Sequence, residues 1–130
     1  IFNTTKRRPR TIYLVRIRLM ANIYKNQKAD LTTSSQTTLY TVPSNSRAIV
    51  KSLIVHNDSG AGADFTLDLI DASAASFAIY TQYSTTARTT YQLLSEPLIL
   101  QESEILKVTA SVADRLIVIA SILEINREDR

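Results

Sequence analysis

Cysteine and tryptophan are absent from this chain of 130 residues, and there is one histidine, His56. Without cysteine the chain can form no disulfide bond, no thiolate nucleophile and no cysteine-based zinc or iron–sulfur site. With one imidazole it cannot build a metal site from several histidines, and a Ser-His-Asp triad would have to use His56. His56 ends an apolar, strand-like segment just before a turn, where we expect a solvated or hydrogen-bonded side chain. No nucleotide-binding or zinc-protease motif occurs, so we expect no enzyme, no metal and no cofactor.

Glycine is equally scarce, and both glycines of the chain, Gly60 and Gly62, fall within residues 58–63. Glycine adopts positive φ without steric cost, so this clustering predicts a turn in which the backbone takes positive φ. Asp58 and Asp64 flank the turn, and carboxylate and carbonyl oxygens are the ligands that calcium prefers. Their spacing matches no EF-hand loop, and turn-forming aspartates explain the segment more simply.

Acidic residues are missing from the first part of the chain. Residues 1–19 form a basic leader with six lysines and arginines, whereas residues 21–130 hold the other nine basic residues against all twelve acidic ones. Two interpretations stay open: a leader foreign to a protein that starts at Met20, or a native arm that lies on a neighbouring subunit or on nucleic acid. Residues 11–19 alternate well enough to add a strand to a sheet edge. Arg16 and Arg18 interrupt the apolar runs, so we expect neither a signal peptide nor a membrane span. An acidic body without a basic stripe makes nucleic acid an improbable partner.

The rest of the sequence is rich in short apolar segments with many β-branched residues and no helical period. We expect residues 20–36 to form an extended polar arm or a short strand, residues 37–126 a single β domain, and residues 127–130 a frayed tail. Seven to nine strands spaced about ten residues apart are typical of an antiparallel β-sandwich, of the jelly-roll or immunoglobulin-like type. Strands with one apolar face, at 64–71 and 105–111, should turn Leu67 and Val108 into the core.

The last predicted strand, residues 115–125, is apolar on both faces. Leu116, Val118, Ala120 and Ile122 share one face, and the other carries Ile117, Ile119, Leu123 and Ile125. One face of a strand can point into a two-layer core, and soluble monomers rarely expose a patch as large as the second would form. We therefore predict that Ile117, Ile119, Leu123 and Ile125 lie in an interface between copies of the chain. A closed cyclic oligomer, with a trimer favoured, would cover them.

Tyrosines flank a polar segment that is rich in serine and threonine. We interpret residues 81–90 as a loop and Tyr80, Tyr83, Arg88 and Tyr91 as candidate recognition residues. Tyrosine among small polar residues makes adaptable contact surfaces, including sugar-binding ones. The alternative interpretation is that these are outward-facing tyrosines on exposed strands.

Four short motifs carry a resemblance to a known family. They are Thr-Leu-Tyr-Thr-Val-Pro at 38–43, Ala-Ile-Val-Lys-Ser at 48–52, Leu-Lys-Val-Thr-Ala-Ser at 106–111 and Leu-Glu-Ile at 123–125. With this layout, residues 20–126 resemble small virion structural proteins of tailed bacteriophages. The family's usual glycine before the penultimate strand is replaced here by the turn at 101–104.

This resemblance implies a non-enzymatic virion protein without catalytic residues, most simply a self-associating capsid decoration (cement) protein. Its partners would be further copies of itself and other virion proteins such as the major capsid protein, with no membrane involved. The alternative functions are a tail-associated protein, or a carbohydrate- or surface-binding β module that uses the loop between Tyr80 and Tyr91.

The leader differs from the body in charge and composition, which gives a first testable prediction. A chain that begins at Met20 should fold and melt within a few degrees of the full chain, followed by circular dichroism. If the shortened chain fails to fold, residues 11–19 are a docked strand of the domain and the interpretation of a dispensable leader is wrong.

Overall fold

The computed structural model describes residues 20–127, and burial of side chains is defined for residues 22–126. The basic leader at 1–19 and residues 128–130 lie outside the described residues. Nine strands and no helix occur between residues 20 and 127. The strands are β1 (Met20–Leu31), β2 (Thr37–Thr41), β3 (Ser46–Asn57), β4 (Ala63–Ile70), β5 (Ser76–Thr85), β6 (Thr90–Gln92), β7 (Leu98–Leu100), β8 (Ile105–Ala110) and β9 (Leu116–Arg127).

The strands form two antiparallel sheets. The first sheet has the order β1-β9-β3-β6, with β7 also paired to β3, and the second has the order β2-β8-β4-β5. Pairing is nested along the chain: β1 pairs with β9, β2 with β8, β3 with β6 and β7, and β4 with β5. A chain paired in this way is one long antiparallel ribbon that wraps into two facing sheets, which is the jelly-roll arrangement. The predicted all-β sandwich is confirmed, in its jelly-roll form.

The core follows from the alternation of the strands. On β4, Phe65 and Leu67 are buried, while Asp64, Thr66 and Asp68 on the opposite face are half-buried. Strand β8 faces the core in the same way, with Leu106, Val108 and Ala110 buried. The predicted core positions of Leu67 and Val108 are therefore confirmed.

Residues 20–31, expected within an extended polar arm or short strand, form a twelve-residue strand. Strand β1 pairs with β9 along its whole length, from Met20 opposite Arg127 to Leu31 opposite Leu116. Its polar composition suits the edge of a sheet, where charged side chains discourage pairing with other chains. Leu31 is fully buried and closes the core where β1 ends.

The glycine-rich turn does not use positive φ, so the prediction for Gly60 and Gly62 is wrong. The Asn57 side chain shapes the turn instead: its Oδ1 accepts a hydrogen bond from the Ser59 N–H at 2.9 Å, and its Nδ2 donates to the Ala61 carbonyl at 2.9 Å. At Gly62 a Cβ atom would lie 3.1 Å from the Thr85 carbonyl oxygen, so the close approach to β5 explains that glycine.

Positive φ occurs at other turn residues within the described range. One of them is Ser103, at φ 69°, in the turn at 101–104. The other turn residues are Asn45, Ala74, Arg88 and Asp114, and Gln82 has positive φ within strand β5. The turns therefore store some backbone strain that composition alone did not indicate.

Leu67 is 1% exposed at the centre of β4, so its truncation tests the core assignment. Leu67→Ala should lower the free energy of unfolding by about 2–5 kcal/mol, because apolar contacts are lost and a cavity remains. Val112→Ala, in the exposed turn after β8, is the control and should change stability by less than about 0.5 kcal/mol. Urea unfolding measures both. Equal effects of the two substitutions would contradict the assignment.

Candidate interaction surface

The face of the first sheet that points away from the core, here called the outer face, carries a row of large apolar residues. The register places Tyr24 of β1 opposite Leu123 of β9, Leu123 opposite Ile49 of β3, and Ile49 opposite Ile99 of β7. Directly opposed residues share a face of the sheet. These four side chains therefore form one continuous apolar row across four strands.

A second, shorter apolar stretch runs beside this row. Ile119 of β9 is opposite Ile54 of β3, between Lys28 on β1 and Gln92 on β6. Between the two rows lie the small or polar residues Asn26, Ser121 and Ser52, which are also in register with one another. Small side chains between two apolar rows leave a shallow groove, and a depression of about 340 Å³ lies there, lined in part by Tyr24, Asn26, Lys51 and Ser121.

Much of this apolar surface is open. Tyr24 is 73% exposed, Ile99 64% and Ile119 39%. The residues predicted to form an interface all belong to the outer face: Ile119 is exposed, and Ile117, Leu123 and Ile125 are half-buried by their neighbours in the sheet. The opposite side of β9 is the core, with Leu116, Val118, Ala120 and Ile122 buried. The apolar residues on the second face of β9 thus belong to an apolar surface that extends over the neighbouring strands of the first sheet.

The second sheet differs at the equivalent place. Along most of its central strands the outward residues are polar, with Asp68 of β4 directly opposite Lys107 of β8, and Thr66 opposite Thr109, whereas Ile70 and Ile105 form an apolar pair at one end. Both sheets have the same apolar alternation towards the core, yet the outer face of the second sheet is mostly polar and that of the first carries an apolar row across four strands. Solvent exposure alone would favour polar residues on both, so the outer face of the first sheet is under a different constraint.

Polar groups border the apolar row. Lys51, at the irregularity in the pairing of β3 with β9, has its Nζ 6.0 Å from the centroid of the Tyr24 ring. At the far end of β3, the Nδ1 atom of His56 lies 2.7 Å from the Thr90 hydroxyl, the ordinary environment expected for this histidine. An apolar centre with a polar border is the usual composition of a protein interface.

The tyrosines expected around a recognition loop lie instead on strands. Strand β5 continues to Thr85, so Tyr80 and Tyr83 are strand residues, and Tyr91 belongs to β6. Two register shifts between β4 and β5 put Tyr80 and Tyr83 on one face, where their rings lie 5.7 and 5.6 Å from that of Phe65. The Tyr83 ring is also 5.8 Å from the Tyr91 ring. The cluster closes one side of the sandwich between β5 and β6.

Two of these tyrosines have their hydroxyls engaged within the domain. The Tyr80 hydroxyl donates to the Leu93 carbonyl at 2.7 Å, and the Tyr91 hydroxyl accepts from the Thr86 N–H at 2.8 Å. Arg88 is part of the turn after β5, with its guanidinium beside Gly60. The structure therefore brings the three tyrosines together but places Arg88 against the glycine turn. Interpretation of residues 81–90 as a loop is wrong for 81–85, because threonine and glutamine there continue an edge strand.

One buried polar group was not identified from the sequence. Glu124 of β9 is 4% exposed and accepts a hydrogen bond from the Tyr40 hydroxyl at 2.5 Å, with Lys25 Nζ at 3.4 Å. The Lys25 Nζ also lies 5.6 Å from the centroid of the Tyr40 ring. Burial, then the hydrogen bond and the negative charge of Glu124, raise the pKa of Tyr40 above its ordinary range. A signal did exist: Glu124 is in phase with the core residues of β9.

The group of Glu124, Tyr40 and Lys25 ties together β9, β2 and β1, and hence both sheets. Tyr40 and Lys25 both contact the same oxygen, Oε2 of Glu124, so the group compensates a buried charge rather than presenting a reactive one. Within residues 20–127 no three His, Cys, Asp or Glu side chains are grouped so as to hold a metal ion. No helix in that range could cross a membrane.

Comparison with known proteins shows the fold. No family model matches the sequence, and no curated protein is significantly similar to it. A chain of the infectious bursal disease virus particle superposes with a TM-score of 0.51 at 11% identity, over 84% of this chain and 31% of that chain. The present chain thus spans less than a third of the length of that protein. At this identity the match shows a shared sandwich fold.

Two further structures are less similar. A protein of Bacillus endospore appendages, which form disulfide-linked pili, gives a TM-score of 0.49 at 10% identity, over 84% of this chain and 88% of that chain. The virus-like particle of the extra small virus of the prawn Macrobrachium rosenbergii gives 0.36 at 17% identity, over 84% and 80%. Similarity at this level supports no conclusion about fold or function.

The buried Glu124 gives a prediction about stability. Tyr40→Phe removes the hydroxyl that donates to the carboxylate, and an incompletely satisfied buried charge should lower the free energy of unfolding by about 1–3 kcal/mol at pH 7. Tyr24→Phe, on the exposed outer face, is the matched control and should have little effect. Urea unfolding compares the two. An unchanged stability of Tyr40→Phe would show that the hydrogen bond is not needed.

The hydrogen bond between Tyr40 and Glu124 also predicts how the stability of the fold changes at alkaline pH. The pKa of Tyr40 is higher in the folded than in the unfolded chain, so its stabilising contribution is complete below pH 10 and is lost as the pH rises further. Between pH 9 and about pH 11 the wild type should therefore lose more stability than Tyr40→Phe. An equal loss of stability in the wild type and in Tyr40→Phe would show that ionisation of Tyr40 is not the cause.

Proposed function

We propose that this protein is a non-enzymatic, self-associating structural component of a virus particle, and that copies pack through the outer face of the first sheet. The observation that carries the proposal is the apolar row of Tyr24, Leu123, Ile49 and Ile99. The jelly-roll fold is also found in a chain of the infectious bursal disease virus particle. Particle building is a property of that virus, and its transfer to this chain is part of the proposal.

The energetics favour association through this face. Complete burial of an exposed isoleucine or similar side chain contributes about 1.5–3 kcal/mol. Ile99 and Ile119 are both exposed, and each copy brings the same residues to the contact. A handful of such side chains can therefore offset much of the entropy that two molecules lose when they associate. The contrast with the mostly polar outer face of the second sheet supports this face as the contact.

The finer form of the proposal is a capsid decoration protein of a tailed bacteriophage, located in the virion. Support for it comes from the motifs at 38–43, 48–52, 106–111 and 123–125, which resemble small phage virion proteins. A closed trimer would cover the outer face of every copy, and the major capsid protein would be the further partner. A tail-associated position is compatible with the same motifs. A carbohydrate-binding module has less support, because the Tyr80 and Tyr91 hydroxyls are engaged within the domain.

Substitution of exposed residues on the outer face tests the proposal. Ile99→Lys and Ile119→Lys, made separately, should break the contact through the outer face and so lower the mass of the assembly at micromolar concentration, because each places a charge in the apolar contact. Both side chains are exposed, so the melting temperature should stay within a few degrees of the wild type. Light scattering after size-exclusion chromatography gives the mass, and circular dichroism checks the fold.

Val112→Lys is the matched control, because Val112 is similarly exposed at 38% but lies in the turn between β8 and β9. Its oligomeric state should equal that of the wild type. A monomeric wild type would refute self-association. Dissociation by Val112→Lys as effective as that by Ile99→Lys would show that the outer face is not the specific contact.

A further inference from the structure

Strand β5 is a long edge strand with few features that discourage pairing with another chain. It pairs with β4 on one side and forms the end of the second sheet. Proteins normally block such edges with charges, proline, short strands or β-bulges, and of these β5 has the two register shifts that flank Tyr80. The other edge strands comply: β1 carries Lys25, Lys28 and Asp30, and β2 has five residues. Strand β5 has ten residues, of which eight are exposed, and contains no charge and no proline.

Large apolar side chains accompany this open edge. Phe77 is 55% exposed, Tyr83 40% and Ile79 36%. Three aromatic residues of β5 lie opposite inward-facing residues of β4: Phe77 opposite Leu69, Tyr80 opposite Leu67, and Tyr83 opposite Phe65. The three aromatic rings therefore point to the core side of the sheet, although successive ones are three residues apart in the sequence. The two register shifts in this strand make that spacing possible. The edge therefore offers both free backbone groups and an aromatic stripe.

The strand is self-complementary about its central residue, Tyr80. Three of the four pairs at equal distance on either side are of similar type: serine at 76 and 84, aromatic at 77 and 83, and β-branched at 79 and 81, while Ala78 and Gln82 differ. Two copies in antiparallel pairing around a two-fold axis at Tyr80 would place each residue opposite its counterpart. Phe77 would then meet Tyr83 of the second copy, and aromatic cross-strand pairs stabilise sheets.

Charge is also compatible with this arrangement. The strand itself is neutral, so pairing with its own copy brings no like charges together. Asp71 lies in the turn before β5, and Arg88 lies in the turn after it. Antiparallel pairing directs the Asp71 turn of one copy to the same end as the Arg88 turn of the other. Opposite charges are therefore brought to both ends of the contact.

We propose that β5 pairs antiparallel with β5 of a second copy, around a two-fold axis at Tyr80, and joins two four-stranded sheets into one of eight strands. Such a contact is isologous, with the same residues contributed by both copies. It involves the second sheet and is independent of the outer face of the first, so it does not rest on the proposed function.

Absence of native cysteine allows a direct test by engineered disulfides in the full chain. Ser76→Cys and Ser84→Cys are made in separate chains and mixed under mild oxidation. In the proposed register these exposed positions are directly opposite, about 4.5–5.5 Å apart between Cα atoms, a distance that a disulfide spans. Their partners on β4, Ile70 and Asp64, are six residues apart, so within one strand the two positions are about 20 Å apart and neither chain alone should cross-link through this contact.

The mixture should give several-fold more disulfide-linked dimer on a non-reducing gel than either chain alone. Asn22→Cys mixed with Asp30→Cys is the matched control, because these positions are also exposed and eight residues apart, but lie on the other long edge strand, β1. Equal dimer from this control, or from a single β5 variant by itself, would overturn the proposal. So would the absence of cross-linking in the β5 mixture, the result expected if residues 11–19 of another copy occupied the edge.

A second experiment distinguishes the β5 contact from the contact through the outer face. When both β5 cysteine chains also carry Ile99→Lys, the yield of cross-linked dimer should stay within about twofold of the yield without it. Loss of the cross-link in this background would overturn the independence of the two contacts. Addition of Ile79→Lys to both chains should lower the yield several-fold, because it introduces charge beside the axis, and an unchanged yield would contradict pairing through this edge.

Discussion

Strand β9 imposes the main constraint on this structure, because it lies between β1 and β3 and is apolar on both faces. Pairing on both sides satisfies its backbone over its whole length. A sandwich has one core, between its two sheets. When one face of β9 is buried in that core, the other face must therefore point away from it. The inner face of β9 fixes the first sheet against the second, and among the described residues its outer face stays partly open, with Ile119 39% exposed. The fold and the proposed association thus arise from the same strand.

The inner face of β9 also carries one charged residue, Glu124, which is buried. It occupies a core position in sequence phase with Ile122, and a lone carboxylate there would be costly. Tyr40 from β2 and Lys25 from β1 converge on it, so the charge is compensated only when the first and second sheets are assembled together. Removal of one partner of a buried ionic group costs more than the pair contributes. The contacts of Glu124 with Tyr40 and Lys25 therefore favour one particular arrangement of β1, β2 and β9 at this side of the sandwich.

Alternation was sufficient to predict the fold class, the core positions of Leu67 and Val108, and the doubly apolar last strand. Edge strands were harder to identify. Strand β1 and the second half of β5 are polar because much of their surface meets solvent, and a strand with little apolar content is hard to distinguish from a loop by periodicity. The two β5 bulges also bring Tyr80 and Tyr83 to one face at a spacing that simple alternation does not predict. The positive-φ turns went unpredicted because serine, alanine and asparagine, rather than glycine, adopt that conformation here.

The two proposed contacts would have different consequences for assembly. Packing through the outer face in a closed ring yields an oligomer of fixed size, which is sufficient for a protein that decorates an existing shell. A second contact with two-fold symmetry, on the opposite sheet, links one ring to another. Combination of a cyclic and a two-fold contact gives either a closed dihedral particle or an extended array, according to the angle between their axes. Whether β5 pairs with a second copy therefore bears on whether this protein covers a shell built by others or forms a shell of its own.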